Sequence, residues 1–541
     1  MNRWSRLDAD RRVFLTGYAL LLPLFLVPLW LTPVLPFLDA PFHLAIADML
    51  GKGAGSASPY AGLYEPRFWP PPPALPWLAL ALLGKIVGSM AALRLLVALY
   101  VAALPLAVGA LARRLGGAAM PALLAFPLAY NMALHHGFLG YAFSLPILFA
   151  TLAAAAGYLG SHRRSARAHV REAVIVAALG CGLFTCHLET YAIGVVMTVA
   201  MAATARVPMR QRARSLAALL PSVALATAWT AGTPYLRGAA GGRSLAGVFT
   251  AMMGVRRAEL GARSVLADLS SRFEGLPHHL LRGFRDGADR FASLAIIFLV
   301  VAIAVSLWRP TLRAPPGHAL ARCRLVLPAI ALTGYLALPH HLDEYEAMSV
   351  APRLAPLLVL ACIAALPLSR EPLFGSPARV VRGLSFAVTA LGCAYAGVLG
   401  REYRAFARET ADFESVVRQV PAGGRVVGLV FDGESRVMNV DSVLRGLPSL
   451  YVALRPDPRS MVALRYCGMR HVPCAPLPRA SAVPAPDPWA PETFQARAGL
   501  DFFDYVLVRR GPTEERLFGG EPVDVLARSG TWAAYARRVP R

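Results

Sequence analysis

The chain has 541 residues, 56% of them apolar and 16% charged, with a mean hydropathy of +0.49. Soluble proteins average about 45–50% apolar and about 25% charged, so a soluble enzyme, a disordered tail protein and a coiled coil give way to a chain with many membrane crossings. The net charge of +23 would point to nucleic acid in a soluble protein, but residues 404–541 hold 19 Arg against 15 Asp and Glu, and the remaining excess comes as short basic clusters between apolar runs. That is the signature of membrane orientation, and nucleic acid is excluded as the partner.

Val13–Leu35 is the first apolar run, preceded by Arg3, Arg6, Arg11 and Arg12. A cleaved signal peptide has an apolar core of about 7–15 residues. This run is longer, so it reads as a retained anchor with the N-terminus in the cytoplasm.

The first outer loop, residues 36–71, is the most informative stretch. Phe42, Ala45, Ile46, Met49 and Leu50 recur at helical spacing and predict an amphipathic helix lying along the membrane surface. Asp39 and His43 flank its apolar stripe, and Asp48 points the other way. A carboxylate and an imidazole four residues apart can share a proton, a metal or a substrate hydroxyl, which makes Asp39 and His43 catalytic candidates. The plainer reading makes Asp39, two residues before Pro41, the helix N-cap, and His43 an interfacial polar residue. Tyr64–Trp69 and Pro70–Pro73 form the return into the membrane. There Glu65 and Arg67 are either substrate contacts or solvated charges.

Residues 74–112 read as two apolar helices split near Gly88–Ser89, with one net crossing. Further spans are predicted at Ala118–Leu134, Phe138–Tyr158, Val170–Cys186, Thr190–Ala205, Ser215–Gly232, Phe291–Trp308, Leu325–Leu338, Leu354–Leu368 and Gly383–Gly400. Arginine clusters at Arg113–Arg114, Arg163–Arg171, Arg206–Arg214, Arg309–Arg324 and Arg370–Arg382 fall on one side. The short opposite loops hold only Lys52 and Arg67. The arginine-rich side is the cytoplasm. Residues 233–290 carry nine Arg yet fall outside by this count, as long loops often do. The fold class is mainly α: a polytopic membrane protein of about eleven transmembrane helices.

Histidines and carboxylates gather at the outer helix ends: Asn131 with His135 and His136, His187 with Glu189, then His340, His341, Asp343, Glu344 and Glu346. Arg353 is the one arginine at an outer helix entrance. It suits a lipid phosphate at headgroup level, and equally an ion pair with Asp343, Glu344 or Glu346. His340, His341, Asp343 and Arg353 are therefore candidate substrate-binding residues. No metal-type Cys or His spacing is present.

Hydropathy falls after Gly400. Arg401–Val420 predicts an amphipathic helix, Arg425–Phe431 and Tyr505–Val508 buried strands, Val523–Ala527 and Thr531–Arg537 a hairpin, and Pro476–Pro491 an exposed loop. Two domains follow: residues 1–403 in the membrane, and a small extracytoplasmic α/β domain over 404–541. Cys467 and Cys474 lie in the latter, where the compartment permits a disulfide; they either pair or stay free.

Several segments together resemble the GT-C superfamily of integral-membrane glycosyltransferases that use polyprenyl-phosphate-linked sugars. These are the first outer loop (Leu38-Asp39-Ala40-Pro41-Phe42-His43-Leu44), the re-entry Trp69–Pro73, Ala92–Leu96 with Ala112–Gly117, and Asn131–Pro146. The resemblance covers residues 10–400. It implies a GT-C-like fold in the cytoplasmic (inner) membrane, a polyprenyl-phosphate sugar donor, and a glycan, lipid or protein acceptor of the cell envelope on the outer face. It implies that Asp39 is a general base or a ligand to a divalent cation, and that Arg353 holds the lipid phosphate. The chain departs from the pattern in two places: Ala40, not a second acid, follows Asp39, and no WWD-type acceptor motif is present. The alternatives are a non-catalytic scaffold of envelope polysaccharide assembly and a lipid-linked glycan transporter.

Overall fold

The structure is a computed structural model. It describes residues 3–53, 55–66, 74–160, 165–232, 245–261, 265–307, 320, 322–340, 349–366, 377–464, 467, 472 and 474–538. Among these, six helices are long and apolar enough to cross a membrane: Asp10–Trp30, Ser89–Arg114, Leu139–Leu159, Arg167–Cys186, Ala288–Ser306 and Arg382–Gln419. Four shorter apolar helices accompany them: Ala74–Val87, Leu188–Thr204, Cys323–Ala337 and Val350–Ala365. Large apolar side chains stay exposed on them, Phe291 at 76% and Phe298 at 71%. Such faces are stable only in lipid, and the protein is a polytopic membrane protein.

The chain divides into two compact units. One holds Met1–Pro28, Ala98–Ala133 and Gly140–Leu399; the other holds Leu29–Val97, Leu134–Leu139 and Gly400–Arg541. The second thus draws residues from both sides of position 404.

In the first unit, Val350–Ala365 is central, with fourteen of its sixteen residues buried. It packs on Cys323–Ala337 and on Val265–Leu281. Ala118–Leu134, predicted as one span, is instead broken into Met120–Leu124, Ala125–Ala129 and Met132–His135. Pro121 and Pro127 interrupt it, because proline lacks the amide that a continuous helix needs. Its backbone is satisfied from nearby. The Asp10 carboxylate accepts from the backbone amides of Ala119 (2.8 Å) and Met120 (3.2 Å), and the Asn131 side-chain Nδ2 donates to Tyr100 Oη (3.0 Å) and Leu128 O (2.9 Å). Enclosure by protein is what permits irregular backbone here.

In the second unit, the predicted break at Gly88 is observed: its φ is +83°, and Ala74–Val87 ends where Ser89–Arg114 begins. The five-stranded sheet contains β2 (Arg425–Val430), β3 (Met461–Val462), β5 (Tyr505–Arg509), β6 (Val523–Ser529) and β7 (Trp532–Arg537), in the order β3-β2-β5-β7-β6. β2 runs parallel to β3 and β5, and β6 and β7 form the predicted hairpin. Val427, Leu429, Leu500, Phe503 and Val506 form its core. The amphipathic helix after Gly400 is the continuation of the last span, within one helix of 43 residues, Pro377–Gln419.

A second, two-stranded sheet joins distant parts of the sequence. β1 (Tyr64–Pro66) pairs antiparallel with β4 (Cys474–Pro476), Tyr64 facing Pro476 and Pro66 facing Cys474. Tyr64 Oη accepts from the Leu464 amide at 3.2 Å. Cys467 and Cys474 are disulfide-bonded, which ties β4 to the chain seven residues before it. Closing so small a loop contributes about 2–3 kcal/mol in the chain-entropy model. Cys474→Ser, or reduction, is therefore expected to lower the melting temperature of the purified protein. It should also speed tryptic cleavage at Lys52, measured against the oxidised protein.

Candidate functional site

Asp39 precedes the helix Ala40–Lys52, the element predicted from the apolar spacing. Seven of its thirteen residues are buried, so one face of it is packed within its unit. It rests on Ala74–Val87 and on Leu447–Leu454. Asp39 occupies the N-cap position with helical backbone angles, and its carboxylate makes no capping bond. The plainer reading of this residue therefore lacks its key contact.

The turn Leu134–Leu139 of the same unit holds the backbone around Asp39. The Leu38 amide donates to His135 O (3.0 Å) and the Asp39 amide to His136 O (3.2 Å). His43 Nε2 lies 3.0 Å from Gly137 O. A carbonyl only accepts, so Nε2 carries the ring proton. The imidazole also lies beside Trp77, at 5.4 Å between ring centres. Gly137 has φ +81°, and a Cβ added there would lie 2.5 Å from the Asp39 amide nitrogen. Only glycine meets both conditions.

At the other end of the helix, Lys52 Nζ binds Asp48 Oδ2 (2.8 Å) and donates to Ser460 O (2.7 Å). Tyr60 Oη donates to the same carboxylate at 3.2 Å. Burial pushes the Asp48 carboxyl above its usual range, and Lys52 opposes that shift. Glu65 lies exposed on β1, facing Ala475.

His340 and Arg353 belong to the other unit. Arg353 is buried in the first turn of its helix, with Tyr141 Oη donating to its carbonyl at 2.5 Å. The carboxylate of Glu189 lies within its electrostatic reach. The His340 amide donates to Glu259 Oε1 at 2.8 Å, and Arg272 Nη2 lies 3.4 Å from its ring. Arg67, His341 and Asp343 lie outside the described residues.

Sequence reasoning missed the charged network beside His340. Residues 245–281, read as loop, form the helices Leu245–Gly261 and Val265–Leu281. Asp268 accepts from Arg256 and from Arg272 Nε (3.2 Å), and Glu259 accepts from Arg256 (3.1 Å) and Arg272 (3.4 Å). Arg272 also donates to Tyr335 O at 2.5 Å and is 1% exposed. The usable signal was spacing: Arg256 and Glu259 are three apart, and Asp268 and Arg272 four. The bond from Arg256 holds the Asp268 carboxyl below its usual range. Burial lowers the neighbouring His279 to about 4, helped by the charges of His278 and His340.

Among the described residues, no three His, Cys, Asp or Glu side chains come together to hold a metal.

No protein-family model matches the chain, and no curated protein does. Among solved structures it is similar to ArnT from Cupriavidus metallidurans bound to undecaprenyl phosphate. The two share 14% identity and a TM-score of 0.50, covering 96% of this chain and 97% of that one. It is similar also to the arabinofuranosyltransferase AftD from Mycobacteria, at 15% identity and a TM-score of 0.50, covering 96% of this chain and 41% of that one.

Three outcomes are expected. Gly137→Ala displaces Asp39 and lowers activity more than stability, read by comparing turnover with the melting curve. Asp268→Ala leaves two buried guanidinium groups with only Glu259 as a shared carboxylate and costs about 3 kcal/mol, read by thermal unfolding in detergent. His279 binds its proton more weakly folded than unfolded, so its contribution to stability is present above pH 6.5 and is lost as the pH falls toward about 4. His279→Gln should flatten that part of the profile.

Proposed function

The chain has the fold of the GT-C superfamily of integral-membrane glycosyltransferases, and we propose that it moves a sugar from a polyprenyl-phosphate donor to an acceptor hydroxyl on the outer face of the cytoplasmic membrane. The observation that carries this reading is the fixed backbone of Asp39, the acid that opens the first outer loop, between the turn Leu134–Leu139 and the helix Ala40–Lys52. A carboxylate held in one place is what a general base needs.

In the proposed step, Asp39 takes the proton from the acceptor hydroxyl as its oxygen attacks the anomeric carbon. The bond from that carbon to the phosphate oxygen breaks, and the phosphate leaves on the lipid with both bonding electrons. Arg353 is assigned the phosphate, where a cation stabilises the charge as it develops. His43 is assigned a positioning role through its bond to Gly137. Glu65 and His340, with Arg67, His341 and Asp343, are assigned to donor and acceptor contacts. A divalent cation is part of the family expectation, and no step here is routed through one.

The disulfide and the arginine distribution support an extracytoplasmic placement of residues 404–541. ArnT is the neighbour solved with undecaprenyl phosphate bound, which supports a polyprenyl-phosphate donor here.

The decisive variant is Asp39→Asn, which keeps size and shape. Removing a general base costs about 100-fold or more. Transfer of a labelled sugar from lipid-linked donors by purified protein in nanodiscs should fall by at least that factor while the melting curve is unchanged. Full activity in Asp39→Asn would remove this residue from the mechanism and favour a non-catalytic role for the loop.

A further inference from the structure

The helix Val265–Leu281 is inverted for an element of a water-facing loop. A helix on a soluble surface turns its apolar stripe inward and its charges outward. Here charges go in: Asp268 and Arg272 are buried, and His279 Nδ1 lies 3.1 Å from Tyr335 Oη. Large apolar side chains stay out: Leu266 is 79% exposed, Val265 59% and Phe273 51%.

At 3.6 residues per turn these groups fall in three separate sectors. Asp268, Arg272 and His279 share one. Val265, Leu266 and Phe273 share the next, with Leu269 and Leu276 half-buried along the same arc. Ser270, Ser271 and Glu274 occupy the third and are exposed, and Ser270 Oγ donates to Glu274 Oε1 at 2.7 Å. The charged network fixes this roll. Turning the helix to bury Leu266 and Phe273 would draw Arg272 away from Asp268, Glu259 and Tyr335 O, and Asp268 away from Arg256. Breaking buried charge pairs is costly, so the apolar sector stays outward.

An exposed apolar face marks a partner or a membrane, and the neighbouring span decides between them. Val265–Leu281 packs on Ala288–Leu307. Only residues 282–287 join the two, in a corner closed by Asp289, whose carboxylate accepts from the backbone amides of Gly283 (2.6 Å) and Phe284 (3.1 Å). The span exposes Phe291, Leu294, Phe298, Val301 and Val305 at spacings of three and four residues, one stripe that lipid covers. Val265–Leu281 is therefore anchored beside an element already in lipid. It does not itself suit a crossing: its seventeen residues include Asp268, Arg272 and Glu274, and its third sector needs water. The boundary between headgroups and acyl chains supplies both surroundings. Charge does not select the headgroup. From 265 to 290, Arg272, Arg282, Arg285 and Arg290 are matched by Asp268, Glu274, Asp286 and Asp289.

We propose that Val265–Leu281 is an interfacial helix, seated along the membrane surface with Val265, Leu266 and Phe273 among phospholipid acyl chains and Ser271 and Glu274 in water. Its occupant is the bilayer itself, held by apolar insertion and not by anionic headgroups. This does not depend on the transferase reading.

The test uses the full chain with the photo-crosslinking residue benzoylphenylalanine at one position at a time, in phosphatidylcholine nanodiscs and in native membrane vesicles. Adducts are read by intact mass spectrometry and by gel. Leu266→benzoylphenylalanine and Phe273→benzoylphenylalanine should each add the mass of one phospholipid, as should Phe298→benzoylphenylalanine on the span. Ser271→benzoylphenylalanine and Glu274→benzoylphenylalanine should give at least about 5-fold less lipid adduct. Leu266 is so exposed that its variant should keep the wild-type melting curve, which separates a missing adduct from misfolding. Adding phosphatidylglycerol should leave the yields unchanged. The proposal is overturned if Leu266 and Phe273 give no lipid adduct while Phe298 does, or if Ser271 and Glu274 label as strongly as they do. It is overturned equally if Leu266 and Phe273 crosslink chiefly to a second copy of the chain or to another protein, or if their labelling requires the anionic lipid.

Discussion

Everything proposed for Asp39 depends on one steric fact: the backbone of the first outer loop passes so close to Gly137 that no side chain fits between them. Two amide-to-carbonyl bonds and the His43 ring close the same contact. A loop acid ordinarily spends entropy to reach a productive position, at roughly 1–2 kcal/mol for each backbone residue that must be fixed. Here that ordering comes with folding, because segments nearly a hundred residues apart lock together before any ligand arrives. The rest of the loop follows from this anchor. The helix Ala40–Lys52 is oriented by it, the Asp48–Lys52–Tyr60 cluster fixes the far end, and β1 then reaches β4.

The first unit handles its buried charge differently. Arg256, Glu259, Asp268 and Arg272 satisfy one another on two neighbouring helices. Such networks add little net stability over apolar packing, but removing one member is severe. Their physical effect is selective: they specify which residues of Leu245–Gly261 face which residues of Val265–Leu281. The His340 amide donates into the same network.

The parts of this architecture that repeat along the chain were legible in the sequence. The apolar runs, the break at Gly88, the β6–β7 hairpin and the strands at 425 and 505 each carry a local period or a turn signal. Ala118–Leu134 was misread because hydropathy measures composition and cannot tell a span from a proline-broken segment enclosed by protein. β1 was invisible because three residues have no period and its partner lies about 410 positions away. Asp39 stood out as a lone acid after an apolar run. Gly137 did not, since a glycine shows its positive φ and its close approach only once the neighbouring segment is in place. The charged network hid for a similar reason: its spacing is visible, but its burial is not.

The helix Pro377–Gln419 shows where lipid gives way to water. Its buried positions are mostly apolar, from Val388 and Tyr395 to Phe406, Phe413 and Val417, with Glu402 and Thr410 buried among them. Its exposed positions change character. Phe386 is 76% exposed, whereas Arg401, Arg404, Arg408 and Arg418 occupy the outward face after Gly400. One helix therefore meets two solvents, and the change falls within a single turn. A donor whose tail stays in lipid and an acceptor that arrives through water can meet only near such a boundary. The second unit has elements of both kinds: Ala74–Val87 exposes Leu82 and Ile86 as a lipid-facing helix does, while its sheet exposes Asp524, Arg528 and Arg537. The helix that Asp39 begins packs against Ala74–Val87 and against Leu447–Leu454. The reaction proposed for this chain, between a lipid-held sugar and a hydroxyl from water, needs its base near elements of both kinds.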